Sequence, residues 1–331
     1  MTNRAGSAGA KGPSLVLRPD GHIKRWFLEK HAKYTGHLYG VKKTLFEAVS
    51  PFQHIEIVEL AHFGKTLILD GKIQSSEDSE WIYHETLVHP VMVAHERPER
   101  VLIIGGGEGA TAREVLKHST VKAVDMVEID IMVFQACKKH LPEFNAGAYE
   151  DPRYSLIITD GRALVEALSS RGLYDVVIVD ASDPIRGGPA YLLYTKEFYE
   201  HVKALLRPGG LMITQAEDVS TLLFESICTA SIYRTVKAVF PITRYLKCWV
   251  PTFDSEWGFV IGSTGPDPAA LGPDEVRKRL AERGVEGLRF YTPELHKSLF
   301  VLPKYLRELL EGHPDARVIR DGEPLYVYSE E

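Results

Sequence analysis

The rhythm of apolar and polar positions changes twice along this chain. Residues 1–14 (MTNRAGSAGAKGPS) show no apolar periodicity and are rich in Gly, Ala and Ser, the composition of a disordered tail. From 15 to about 80 the texture is β-like. HIEIVEL (54–60) alternates, and KTLILDGKIQSS (65–76) reads as two short strands around Asp70-Gly71, a dipeptide suited to hairpin turns. A small antiparallel sheet of hairpins is therefore expected over 15–85. Residues 79–95 then take helical spacing, with Trp81, Leu87 and Val88 available for a buried face.

From about 100 onward, strand and helix alternate. RVLIIGG (100–106), AVDMVEID (123–130), YSLIITD (154–160), YDVVIVD (174–180) and GLMITQAE (210–217) read as strands, with helices between them. Near-continuous apolar strands joined by helices mean a parallel sheet covered on both faces. A helix at 219–239 and a final strand pair of mixed direction, 242–250 and 257–263, complete the sheet. Residues 272–312 add two helices around FVLP (300–303). The fold class expected is α/β, with a mostly parallel domain over 86–331.

Composition narrows the function. The formal charge is −6, with 44% hydrophobic and 25% charged residues, values of a soluble globular protein. No apolar run is long enough for a membrane span, and the N-terminus has no apolar segment of the signal-peptide kind. A cytoplasmic protein without nucleic-acid or membrane partners is expected. Cys137, Cys228 and Cys248 are far apart and form no CxxC, so neither a disulfide framework nor a zinc site is expected. Two Asn and four Gln are few for a chain of 331 residues, a composition that points to a thermophilic source.

Ligands of such sheets sit beyond the carboxyl ends of the strands, and here those ends are acidic. The first strand runs into Gly105-Gly106-Gly107-Glu108-Gly109. Glycines let the backbone approach a ligand, but Glu108 would repel phosphate and prefers a cation. The second ends in Glu128, 19 residues past Gly109, a spacing suited to ribose hydroxyls. The third ends in Asp160-Gly161, suited to an exocyclic amine, although an acid there also caps a helix. The fourth ends in Asp180, followed by Asp183 in a Gly/Pro-rich stretch, 181–193, of lid-like composition. Asp183 also suits the start of a turn before Pro184. Gln215, Glu217 and Asp218 add to the same rim. Trp26, Tyr83, Trp249, Phe253 and Trp257 are candidates for an aromatic wall, of which no more than three are expected at a ligand. These features suggest a nucleoside without a pyrophosphate, beside a cation.

Taken in order, GKIQSSEDSEWIYHETLVHP (71–90), VLIIGGGEGATAREVLKH (101–118), MVEID (126–130), DGRALV (160–165), YDVVIVDASDP (174–184), GGPAYLLYTKEFY (187–199), ITQAE (213–217), VPTFDSEWGFVIGS (250–263) and FVLP (300–303) resemble the spermidine synthase family of aminopropyltransferases. The resemblance implies a β-hairpin domain on a Rossmann-like, methyltransferase-type domain. It implies transfer of the aminopropyl group of decarboxylated S-adenosylmethionine to an amine, with methylthioadenosine released. That sulfonium compound is a co-substrate, and neither cofactor nor metal is implied. Gln53, Glu128, Asp160, Gly161 and Pro189 would hold the nucleoside, and Glu108 the aminopropyl ammonium. Gln74 and Tyr83 would line the centre, His84 and Asp183 would bind the acceptor amine, and Asp180 would be the base. The family has Gln or His at position 84. A homodimer or homotetramer is implied.

Two departures bear on the acceptor, which is putrescine, agmatine or spermidine. Many members have Asp where Glu108 stands, and the stretch after Pro184 is two residues longer than a DPxGP loop. Both features are similar to thermospermine synthases and some thermophilic relatives, so a triamine preference is the alternative, with the longer loop reshaping the acceptor site. An S-adenosylmethionine-dependent N-methyltransferase on the same fold is disfavoured by Glu108, which would face the methionine carboxylate. A non-catalytic binding protein is disfavoured by the presence of both Asp180 and Asp183. A nicotinamide enzyme lacks its GxGxxG fingerprint.

Overall fold

The computed structural model describes residues 22–32, 35–169, 171–219 and 223–327, with the backbone alone for residue 32 and residues 223–226. The expected tail, 1–14, lies outside the described residues. Five strands form the first sheet: β1 (Arg25–Ala32), β2 (Thr35–Val49), β3 (His54–Leu60), β4 (Gly64–Leu69) and β5 (Lys72–Ser76). They lie in chain order and each pair is antiparallel, as hairpins require. Asp70 and Gly71 both have positive φ, +48° and +74°, the conformation an Asp-Gly hairpin turn demands. Its central strands β3 and β4 are buried on both sides. Ile55, Ile57 and Leu67 pack on the helix at Ile131–His140, while Val58, Leu60 and Ile68 join the main core.

The second sheet contains β6 (Arg100–Gly105), β7 (Ala123–Glu128), β8 (Tyr154–Ile158), β9 (Tyr174–Asp180), β10 (Leu206–Asp218), β11 (Ile242–Val250) and β12 (Ser255–Ser263). Their order is β11-β12-β10-β9-β6-β7-β8, with β12 alone running against its neighbours. Among the described residues, nine further α-helices follow α1 (Glu80–Ala94): α2 (Ala110–Leu116), α3 (Ile131–His140), α4 (Pro142–Asn145), α5 (Gly161–Leu168), α6 (Lys196–Leu205), α7 (Leu223–Lys237), α8 (Pro273–Glu282), α9 (Pro293–Leu299) and α10 (Lys304–Gly312). The two helices expected over 272–312 are three. Thr292 caps Leu295 N and Pro293 follows it, a start signal that opens α9 as a separate helix.

α1 departs from the one-faced helix its spacing suggests, for every residue except Trp81 is buried. It packs on β9 to β12 and on α2 and α8, so its polar residues are inside and must find partners. Glu85 accepts the backbone N–H groups of Arg289, Phe290 and Tyr291 at 2.8, 2.8 and 2.7 Å. A domain boundary at 85/86 would cut α1. Because α1 packs on the parallel sheet, we draw the division before Glu80.

The 181–193 stretch is tied down at its middle. Val327 N donates to Pro184 O at 2.9 Å, Ile185 bridges Val327, and the Arg186 guanidinium lies 4.7 Å from the Tyr326 ring centre. A turn of 3-10 helix, Tyr191–Tyr194, closes it.

Replacing Glu85 by Ala strands three N–H groups under the core. The expected loss is about 3 kcal/mol, read from the urea unfolding midpoint. A loss under about 0.5 kcal/mol would show that the carboxylate does not hold the 289–291 turn.

Candidate active site

The parallel sheet reverses its winding between β6 and β9, and a cleft opens there beyond the strand ends. Gly105 stands opposite Asp180 in that pairing. Gly105 has φ +85°, and a Cβ on it would lie 2.1 Å from Asp180 O. A Cβ on Gly107 would lie 2.6 Å from Glu128 Oε2. The glycines thus bring the turn against two acids rather than against phosphate. Gln53, Gln74, Tyr83, His84, Glu108, Glu128, Asp160, Gly161, Asp180, Asp183 and Pro189, expected from the strand ends or from the family resemblance, all line a single cavity.

Asp180 ends β9 with both oxygens engaged. Tyr83 OH donates to Oδ1 at 3.0 Å and Thr111 Oγ1 to Oδ2 at 2.5 Å. Desolvation in the cleft and the nearby Glu108 charge push its pKa up to about 6, against the opposing effects of His84, Thr111 and Tyr83. His84 Nε2 is 2.8 Å from Glu108 Oε1, and Nδ1 is 2.9 Å from Glu80 Oε2. Burial alone would lower the His84 pKa, but these two carboxylates outweigh it and raise it to about 10.

Glu128, at the end of β7, is buried, and its Oε1 accepts Asp130 N at 2.9 Å. Burial, with Asp130 and Glu108 adding to it, raises its pKa to about 7. Asp160 does cap α5, through Oδ1 and Arg162 N at 2.8 Å, and lines the cavity as well. Gln53 Nε2 donates to Asp130 Oδ2 at 3.1 Å, which leaves its amide oxygen for a ligand.

Across the cavity lie Asp183 and residues that the sequence placed only on the rim. Gln215 Nε2 meets Tyr194 OH at 2.6 Å and Asp183 Oδ1 at 3.4 Å. Burial raises the pKa of Asp183, and burial together with Asp183 raises that of Glu217 well above the carboxylate range. Glu217 is fully buried at φ +68°, with its carboxyl against that of Asp183, to which it hydrogen-bonds. Glu29 Oε2, Ser255 Oγ and Trp257 Nε1 have no hydrogen-bond partner among the described residues, and all three residues line the same cavity. Several buried polar atoms thus converge without partners, the mark of a place for a polar ligand. Thr111 and Glu29 carried no sequence signal, since Thr111 meets Asp180 from α2 and Glu29 lines the cavity from β1, each a distant element. Tyr83, Phe253 and Trp257 form the aromatic wall, while Trp26 and Trp249 are exposed elsewhere. Residues 184–188, the lengthened part of the loop, do not line the cavity.

One ligand atom each from His84, Glu108 and Asp180 lie within 4.8 Å of one another, close enough to ligate a metal. A protonated imidazole, however, has no lone pair to give. The trio suits an organic cation better, received by Glu108 and Asp180 as hydrogen-bond acceptors.

The spermine/spermidine synthase domain matches residues 80–269, and the spermidine synthase tetramerisation domain matches residues 25–77. A polyamine aminopropyltransferase of Sulfurisphaera tokodaii is 44% identical over 286 residues, 86% of this chain and 93% of that protein. A spermidine synthase solved in complex with the transition state analogue AdoDATO aligns with a TM-score of 0.80 at 32% identity, over 89% of this chain and 98% of the other. The spermidine synthase from Thermotoga maritima gives 0.79 at 32% identity over the same shares. With the strand ends, the acidic cleft and these likenesses in agreement, the chain belongs to the spermine/spermidine synthase family.

Proposed function

We propose that the chain moves the aminopropyl group of decarboxylated S-adenosylmethionine to a polyamine and releases methylthioadenosine, with Asp180 as the base. The observation that carries this reading is the setting of Asp180: a carboxylate with a pKa of about 6, held by Tyr83 and Thr111, beside Glu108. An alkylammonium with a pKa near ~10.4 arrives protonated at neutral pH and has no free electron pair. Asp180 takes one proton. The neutral nitrogen then bonds to the carbon beside the sulfonium, the C–S bond breaks, and its electron pair stays on sulfur. Alignment of two bound substrates supplies much of the acceleration.

Glu128, Asp160, Gly161, Gln53 and Pro189 hold the nucleoside, and Glu108 the aminopropyl ammonium. Gln74 and Tyr83 line the centre, and His84 and Asp183 stand at the acceptor amine. Oε2 of Glu29, which lines the cavity without a hydrogen-bond partner among the described residues, supports a second ammonium at the far end of the acceptor. The sulfonium is itself a good leaving group, so the reaction as written calls for no cofactor or metal. The acceptor is a diamine, agmatine or a triamine.

No helix among the described residues is long and apolar enough to cross a membrane. Three buried free thiols support a cytoplasmic setting. The edge strand β1 and its partner β2 expose Trp26, Leu28 and Leu38 on one face, with Leu28 opposite Leu38. That strip supports a homodimer or homotetramer built on the first sheet.

The test of function is a mass-spectrometric product assay. Decarboxylated S-adenosylmethionine is offered with putrescine, agmatine, cadaverine, norspermidine or spermidine, and aminopropylated product is expected with at least one of them. Absence of product from all five overturns the reading. Asp180→Asn should keep methylthioadenosine binding and lose at least about 100-fold in kcat; near-normal turnover removes Asp180 as base. Because the base must be ionised, kcat/KM should fall as pH drops through about 6. Thr111→Val, which removes a bond to the ionised form, should move that limb to higher pH. Deleting Arg186-Gly187 should leave the acceptor ranking unchanged, because 184–188 faces the C-terminal segment. A reordered ranking would return specificity to the loop. Leu28→Asp should lower the assembly state seen by sedimentation; an unchanged mass would clear the β1–β2 face.

A further inference from the structure

We propose that Glu80, gripped by Arg113, is a positioning residue of the reaction: it fixes His84 as an imidazolium whose Nε2–H steers Glu108 and sets a positive charge next to Asp180. The proposal rests on the reading of Asp180 as the base.

The argument starts from helical spacing. Glu80 and His84 are four residues apart on α1, so they share a face. His84 Nδ1 lies 2.7 Å from Glu80 O and 2.9 Å from Glu80 Oε2, while Nε2 lies 2.8 Å from Glu108 Oε1. Both ring nitrogens face oxygen acceptors. A neutral ring would set a lone pair against one of them, whereas an imidazolium donates to both. The His84 side chain is 1% exposed, so these partners must do what water would otherwise do.

One cation between two carboxylates leaves a buried net negative charge, and Arg113 offsets it. Its two terminal nitrogens meet the Glu80 oxygens at 3.0 and 2.9 Å in a bidentate pair. The series Arg113, Glu80, His84, Glu108 alternates in sign and is neutral before any substrate arrives. Oε1 of Glu108 is turned to His84, which leaves Oε2 for a substrate ammonium.

Asp180 stands at the end of this series and takes the electrostatic consequence. Glu108 opposes its ionisation and His84 favours it. Without charge on His84, a larger share of the carboxyl would hold its proton at neutral pH, and less of it could accept one. The other titratable groups facing the series are Tyr83, whose OH is on Asp180, and Glu128, Cys137 and Tyr149 on the far side of Glu108. Beyond Arg113 lies a matched pair away from the cavity. Arg113 Nε meets Glu114 Oε1 at 2.8 Å, and His89 Nε2 meets Glu114 Oε2 at 3.0 Å. Glu114 also binds Lys117 at 2.8 Å. This second acid–histidine pair provides an internal control.

The experiment joins spectroscopy to kinetics on the full-length enzyme. With 15N-labelled histidine, His84 of the wild type should keep the imidazolium signature through pH 8. An ordinary transition near pH 6.5 overturns the proposal, whether or not any variant folds. Glu80→Gln should move the acid limb of kcat/KM up by about one pH unit and bring the His84 transition into the neutral range. Methylthioadenosine affinity should stay within about twofold, since only the charge balance is altered. Glu114→Gln should lower the melting temperature and leave the limb where it is. A limb unmoved in folded Glu80→Gln, or moved equally in Glu114→Gln, overturns the proposal. Should Asp180→Asn retain turnover, the base assignment fails, while the 15N signature still judges His84 alone.

Discussion

The register between β6 and β9 is the constraint on which the rest of the molecule depends. Val101 to Ile104 and Val176 to Val179 are buried on both sides of the sheet. Alternation of apolar and polar residues therefore does not distinguish one register from its neighbour along these strands. Their ends must do so. Gly105 admits the Asp180 carbonyl where any side chain would collide, and Gly106 N donates to that same oxygen at 2.9 Å. A slip by one residue would turn the Asp180 carboxyl to the opposite face of the sheet and empty the cleft of its central acid.

α1 is the second support of the site, and it works against ordinary economy. A helix buried on nearly all sides would normally be apolar throughout, yet this one carries Glu80, His84, Glu85 and His89 inward. Burying each charge is unfavourable on its own, and removal of a partner from such a pair is worse than never having built it. Each of these side chains is met by a partner from another element: Arg113 from α2, Glu108 from the glycine turn, the 289–291 backbone, and Glu114. The arrangement fixes how α1 sits against the sheet. It therefore fixes where Tyr83 and His84 enter the cavity.

What the sequence disclosed follows from this construction. Acids that end continuous apolar runs are visible because strand and residue are adjacent in the chain, which is why Glu128, Asp160 and Asp180 could be placed without a structure. The Asp-Gly turn was visible for the same local reason. Thr111, Arg113 and Glu29 were not, because their importance comes from what they meet across the fold. Glu217 was seen only as part of an acidic rim; its left-handed backbone and full burial are tertiary facts. The all-round burial of α1 was hidden because inward polar residues imitate the exposed face of an amphipathic helix.

The bridge from Ile185 to Val327 carries a consequence for how the molecule comes together. The partners are separated by about 140 residues, and closing so long a span is only modestly harder than closing a short one. Direct contact nonetheless has to wait until the C-terminal segment has docked, in part through Asp321 on Arg162 at 2.6 and 2.9 Å. Before that point both sheets can be complete while the stretch beside Asp183 is untethered. The tether on the stretch beside Asp183 thus depends on the docking of the C-terminal segment, and limited proteolysis of a molecule that had lost that docking would cut there first.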